Sequence, residues 1–199
     1  MTGTRNRVTV RRAHAADADG IAAIHAEVWR NAYAGILPGA YLARLSPLRL
    51  ALSYRRALAR REPGHALFVA VAPDAEAGTR SIGFISGGPA RRALRHGSGP
   101  QGEVEMLYLL DDWRDQGIGR RLMRAMAAHL AANACHSAFV WALAENPATH
   151  FYRHLGGHLV ARERIPFAGV EVEQSAFLWS PIESLLAATV PAPRREIEG

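Results

Sequence analysis

The feature that most constrains this chain is Gly117-Ile118-Gly119, set between an apolar run and a periodic one. Residues 104–110 (VEMLYLL) are short, mostly apolar and contain an aromatic, which predicts a buried strand. Residues 111–115 predict a polar turn. Ile118, Leu122, Met126 and Leu130, four apart, predict a helix with one apolar face. A strand that passes through a glycine-rich turn into a helix N-terminus makes an anion site. The first helical N–H groups have no intrahelical partner, and they lie at the positive end of the helix dipole. Glycine at 117 and 119 leaves those amides uncovered. Two familiar phosphate loops do not match: Gly119-Arg120-Arg121 lacks the Lys-Ser/Thr ending of a P-loop, and Leu122 stands where a dinucleotide fingerprint has its third glycine.

Composition narrows the setting. A chain of 199 residues, 49% of them hydrophobic, can build one core. Residues 1–180 are expected to form a single domain and residues 181–199, rich in Pro, Ala, Arg and Glu, a loosely attached tail. No apolar run approaches the roughly 18 residues of a membrane span. Residues 2–10 are too polar for a signal peptide. The one cysteine, Cys135, excludes an intrachain disulfide framework, fits a reducing cytoplasm and reads as packing. All 24 basic residues are arginine, so the chain has no lysine side chain of its own to acetylate. The net charge is +6, but the arginines are scattered in ones and twos, with no basic run of five and no aromatic-interleaved RNA motif. That pattern speaks against nucleic acid as a partner.

Along the chain, residues 8–13 alternate like a strand, and Asp17 or Asp19 can cap the helix expected over 20–32. His25, Trp29 and Tyr33 form a stripe on that helix, which runs into the loop signal Gly35–Pro38. A second helical region is expected over 41–45 and 47–61, then a hairpin from strands 65–72 and 81–87. A Gly/Pro/Arg loop (87–102) feeds the central strand. After the glycine-led helix, residues 138–144 predict a buried strand. Asn146-Pro147 predicts a helix start, and Gly156-Gly157 its end. Strands over 159–164 and 173–179 complete a mixed α/β order. His150, His154 and His158 are spaced by four, but Gly156-Gly157 should break the helix before the third, leaving at most two on one face and no metal site.

Arg114-Asp115-Gln116-Gly117-Ile118-Gly119, preceded by Leu107-Tyr108-Leu109, resembles the acyl-CoA-binding motif of the GCN5-related N-acetyltransferase (GNAT) superfamily. Asn146-Pro147-Ala148-Thr149-His150-Phe151-Tyr152-Arg153-His154-Leu155-Gly156 resembles that family's second acyl-CoA element, and the order of elements over residues 8–179 is similar to the family's. Two motifs at this separation are far more specific than either alone. The resemblance implies a mostly antiparallel central sheet flanked by helices and splayed at the acyl-CoA site. It further implies acetyl-CoA as acyl donor, no metal, and direct attack of an amine on the thioester.

Roles follow from the same resemblance. Backbone groups of Leu107 and Leu109 would run beside pantetheine, with the Leu107 N–H as oxyanion donor. Arg114, Gln116, Gly117, Gly119 and Arg120 would meet the pyrophosphate, and Asn146 the pantetheine arm. Tyr152, with an ordinary pKa near ~10, would be the general acid for the leaving thiolate. Glu103, or in its place Glu105, would be the base. Trp29, Tyr33 and Phe167, with the 35–38 loop and the 165–173 turn, would wall the acceptor pocket for a small amine or amino-acid-like molecule. A protein lysine or N-terminal acetyltransferase, and an acyl-CoA-binding regulatory module without turnover, are the alternatives; a homodimer is a common outcome in the family. Asp115 stands where glycine is common and Asp111 where proline is common.

Overall fold

The computed structural model describes residues 8–76, 78–97 and 99–190. The polar N-terminal segment before residue 8 and the last nine residues of the expected tail lie outside that range. The elements in chain order are β1 (Thr9–Arg12), α1 (Ala18–Ala32), α2 (Gly39–Ala43), α3 (Pro47–Arg60), β2 (Ala66–Asp74), β3 (Gly78–Pro89), β4 (Gln101–Leu109), α4 (Ile118–Ala132), β5 (Ser137–Leu143), α5 (Ala148–His154), β6 (His158–Phe167), β7 (Val170–Trp179) and α6 (Ile182–Ala188). The seven strands form one sheet in the order β1-β2-β3-β4-β5-β7-β6. Every neighbouring pair is antiparallel except β4 with β5. No helix among the described residues is long and apolar enough to cross a membrane.

Both faces of the sheet are covered, which is why its inner strands read as apolar runs rather than alternations. Ala70, Ala72, Ile82, Ile85 and Val104 pack against Ile118, Leu122, Met126 and Leu130, the predicted apolar face of α4. Val69, Val71 and Phe84 pack against Ile21, Ile24 and Val28 of α1 and Ala51 and Tyr54 of α3. Small residues set the spacing: a Cβ on Gly102 would lie 2.7 Å from Leu130.

Three departures matter. First, the segment after Pro181 is not a loose tail throughout. Helix α6 buries Ile182 and Leu185 in the core beneath α4, and Arg124 donates to the Leu186 carbonyl at 3.1 Å. Ile182, Leu185 and Leu186 do stand at helical spacing, but the helix is only seven residues long and the Pro/Ala/Arg/Glu run behind it masks the signal. Second, the expected 165–173 turn shrinks to two residues: β6 and β7 run on as a hairpin closed by Ala168 and Gly169 at φ 51 and 83. Such a two-residue turn needs positive φ at both positions; alanine there hides it from a search for Asn-Gly or Gly-Gly. Third, β4 is irregular. Ser86 pairs with Met106 but Gly87 with Val104, so Glu105 is an extra residue with no partner on β3.

The bulge and the end of β5 pairing coincide. β4 and β5 are in register only from Gln101–Val104 opposite Ser137–Val140, although β4 continues to Leu109 and β5 to Leu143. Beyond Val104 the two strands part.

Candidate active site

The parting opens a cleft of about 790 Å³. Its walls are β4 from Glu105 to Leu109, the first turn of α4, β5 from Val140 to Ala142, α5, and Tyr33 at the end of α1. Leu110 donates to the Ile82 carbonyl on β3. The two-residue period of a strand then turns the Tyr108 amide to β3 and the amides of Leu107 and Leu109 to the cleft. The cleft is thus floored by an unpaired strand edge inside a sheet.

Helix α4 starts at Gly117, whose φ of 74 puts it in the left-handed region, and no side chain caps the helix. A Cβ on Gly117 would meet nothing within 4 Å, whereas one on Gly119 would lie 3.3 Å from the Phe151 ring. Gly117 therefore serves the turn, and Gly119 lets α5 approach. Arg120 lines the cleft and makes no ion pair among the described residues. Arg114 also lines it but is held by Asp111 at 2.7 Å, and Asn31 donates to the same carboxylate at 3.3 Å. Gln116 is exposed, outside the cleft lining, and donates to the Asp112 carbonyl.

Asp115, at a family glycine position, has φ 59. An aspartate there is tolerated better than most side chains but still costs about 1 kcal/mol against glycine. Asp115→Gly should therefore raise stability by about that amount. It should also tighten binding of an anionic ligand several-fold by removing a negative charge beside the helix N-terminus. Urea melts and acetyl-CoA titrations of the variant check both; weaker binding would show the aspartate to be a ligand contact.

On α5, Asn146 Oδ1 accepts from the Ala148 amide at 2.8 Å, capping the helix as the sequence suggests. Its amide group donates to the Tyr33 hydroxyl at 3.1 Å and keeps one N–H for the cleft. Tyr152 lies one turn on. Its ring packs against Phe151, Phe177 and Trp179, with centroids 5.7, 5.9 and 6.2 Å away, and the residue is 4% exposed. Burial, with Tyr33 nearby, raises its hydroxyl above the ordinary tyrosine value. His150 and His154 also line the cleft, while His158 starts β6 beyond the glycine pair. Among the described residues no three His, Cys, Asp or Glu side chains gather as a metal site.

The two glutamates separate. Glu105, the bulged residue, lines the cleft; Glu103 does not, being paired in register with Gly88 on one side and Phe139 on the other. Burial raises the Glu103 carboxyl above its usual range, helped by the Glu105 charge and opposed by Arg91 and His65. Strict alternation misses this difference, because only a bulge re-aims Glu105.

The three aromatics chosen from sequence come together, but only Tyr33 lines the cleft. Trp29 packs on Tyr33 at 4.9 Å and on Phe167 at 6.0 Å, and Tyr41 on Phe167 at 5.4 Å. With Leu37, Leu42 and Val172 they tie the α1–α2 segment to the β6–β7 hairpin. Tyr108 reaches the cleft as well; burial pushes its hydroxyl well above the ordinary value, and Trp29 opposes the rise. Nothing in the sequence singles out Tyr108, because its neighbours Leu107 and Leu109 carry the motif.

Residues 25–156 match the acetyltransferase (GNAT) family model, a span that holds both motifs and the cleft. The chain is 32% identical over 178 residues to YuaI of Bacillus subtilis, an uncharacterized N-acetyltransferase, covering 89% of this chain and 96% of that one. In fold it is similar to NAA60 of Arabidopsis thaliana, solved with acetyl-CoA, at a TM-score of 0.65 and 16% identity over 87% of this chain and 98% of that one. It is also similar to yncA of Salmonella typhimurium, solved with its cofactor acetyl-CoA, at a TM-score of 0.63 and 20% identity over 95% and 99%. The chain belongs to the GNAT family. It is an N-acetyltransferase.

Proposed function

We propose that the cleft takes acetyl-CoA along the free edge of β4 and passes the acetyl group to the primary amine of a small or amino-acid-like molecule. The amine attacks directly, with no covalent enzyme intermediate. One observation carries this reading: where β4 leaves β5, an unpaired strand edge, an uncapped helix N-terminus, Tyr152 and Glu105 all face one cavity.

The residues present suit such a donor. Leu107 and Leu109 offer backbone groups to the amides of a pantetheine arm, as if to an added strand, and the Leu107 N–H can donate to an oxyanion. The first amides of α4, with the unpaired Arg120, suit a pyrophosphate without a metal. Arg114 adds positive charge at the rim, already shared with Asp111. The spare N–H of Asn146 can reach the arm.

Acceptor chemistry falls to the other wall. An alkylamine has a pKa near ~10 and arrives protonated, so it must lose a proton before it attacks. Glu105 is the base in this reading, because it lines the cleft and Glu103 does not. Glu105 attracts the cation, and Tyr33 and Tyr108 supply aromatic wall. A small acceptor is favoured over a long peptide because Trp29, Tyr41 and Phe167 close the α1–α2 segment onto the β6–β7 hairpin. A peptide would need a groove between those segments.

The test is CoA release from acetyl-CoA across amino acids, polyamines, aminoglycosides and N-terminal peptides. One responsive class of small amines is expected. Response to peptides alone would move the reading to a protein acetyltransferase. Acetyl-CoA bound without transfer to any amine would leave a regulatory module.

A further inference from the structure

The imidazole of His65, at the entry to β2, has both ring nitrogens buried and neither in a hydrogen bond. A buried polar group without a partner calls for an explanation. Its surroundings supply one. Nε2 lies 3.5 Å from Glu105 Oε1, and Nδ1 lies 4.0 Å from Glu62 Oε1. Glu105 faces the cleft. The side chain of Glu62 is 55% exposed and paired with Arg91 at 3.3 Å. The ring therefore bridges one carboxylate in the cleft and another in solvent.

The seat of the ring is built for it. A Cβ on Gly88 would lie 2.5–2.7 Å from three ring atoms, so the imidazole rests on bare backbone. The charged groups around it are Glu62 and Arg91 on the solvent side, Glu103 and Glu105 on β4, and Arg12 on β1, whose guanidinium donates to the His65 carbonyl at 3.2 Å.

We propose that His65 is a positioning and relay residue that carries the amine proton out of the cleft, from Glu105 to Glu62. This rests on the reading of Glu105 as base. In the step, the ammonium N–H bond breaks and its proton passes to the Glu105 carboxylate. Glu105 gives that proton to Nε2, and the ring, briefly imidazolium, releases its Nδ1 proton to Glu62 and from there to water. Tautomer exchange resets the ring. Imidazole suits this work because one ring nitrogen can take a proton while the other gives one up. Both gaps exceed hydrogen-bond length, as is common before substrate tightens a site. The side chain of Glu105 is 35% exposed, so the relay serves the stage at which a bound acceptor covers that side.

The test compares wild type, His65→Gln and Gly88→Ala on the best amine of the panel, across pH and across imidazole concentrations. Gly88→Ala keeps every titratable group and displaces the ring instead. Both variants should bind acetyl-CoA with unchanged affinity and lose about tenfold in kcat. In His65→Gln, added imidazole should restore most of the loss, while wild type ignores it. Full kcat in His65→Gln, or a loss that imidazole does not relieve at any pH, would overturn the relay. A wild type inert toward every amine would overturn the reading of Glu105, and the relay with it.

Discussion

Tyr152→Phe should lower kcat about a hundredfold while leaving acetyl-CoA affinity within about twofold. The ring stays, and with it the packing against Phe151, Phe177 and Trp179. Only the hydroxyl goes. The structure also alters the chemical argument for this residue. An ordinary tyrosine near ~10 is matched to a departing thiolate, but burial lifts Tyr152 away from that match. It is then a weaker acid that keeps its proton to higher pH. In the proposed mechanism its part is to donate a hydrogen bond to the sulfur as charge develops there, with proton transfer completed late. Two results check this: the hundredfold loss, and a wild-type rate that does not fall off toward pH 10 as it would with a normal tyrosine acid. Full activity in the phenylalanine variant would remove Tyr152 from the mechanism.

Gly119→Glu should weaken acetyl-CoA binding by at least about a hundredfold, because like charges set against each other at a binding surface cost several kcal/mol. The fold should survive. Gly119 is only half-buried, and its added Cβ would press the Phe151 ring by a few tenths of an ångström. Calorimetric titration with acetyl-CoA, beside a thermal melt, separates lost binding from lost structure. Unchanged affinity in a folded variant would show that the pyrophosphate does not lie at the start of α4.

Much of this is legible in the sequence alone. The α4 face of Ile118, Leu122, Met126 and Leu130 is buried as its spacing implies. Asn146 caps α5, and the sheet opens between β4 and β5 beside the glycine turn. These features depend on local rules: helical period, capping chemistry, and glycine where φ is positive. What was not legible depends on pairing between distant residues. Nothing in residues 101–109 announces that Ser86 and Gly87 skip Glu105, yet that skip decides which glutamate reaches the cleft. His65 reads as the first residue of a strand, and its link to the cleft runs through Glu105, forty positions away. Helix α6 shows the limit of composition, since Ile182 and Leu185 suffice to anchor a segment whose neighbours read as tail. Asp115 lies between: the family pattern marks the position as one for glycine, and the left-handed φ gives the reason.

The register of β4 with β5 spans four residue pairs, and β4 and β5 are the middle of the sheet. Mechanically, the enzyme is two plates riveted along a short seam. One plate carries β1 to β4 with α1, α3 and α4; the other carries β5 to β7 with α5. The aromatic cluster of Trp29, Tyr41 and Phe167 is a clasp between them. A third tie is α6, which follows β7 and packs beneath α4, where Arg124 holds the Leu186 carbonyl. The width of the cleft is therefore set by the seam, the clasp and this helix, none of which has to touch a substrate. Selection on packing at the seam or the clasp can retune the gap, and with it the distance from Tyr152 on one plate to Glu105 on the other, without replacing either residue.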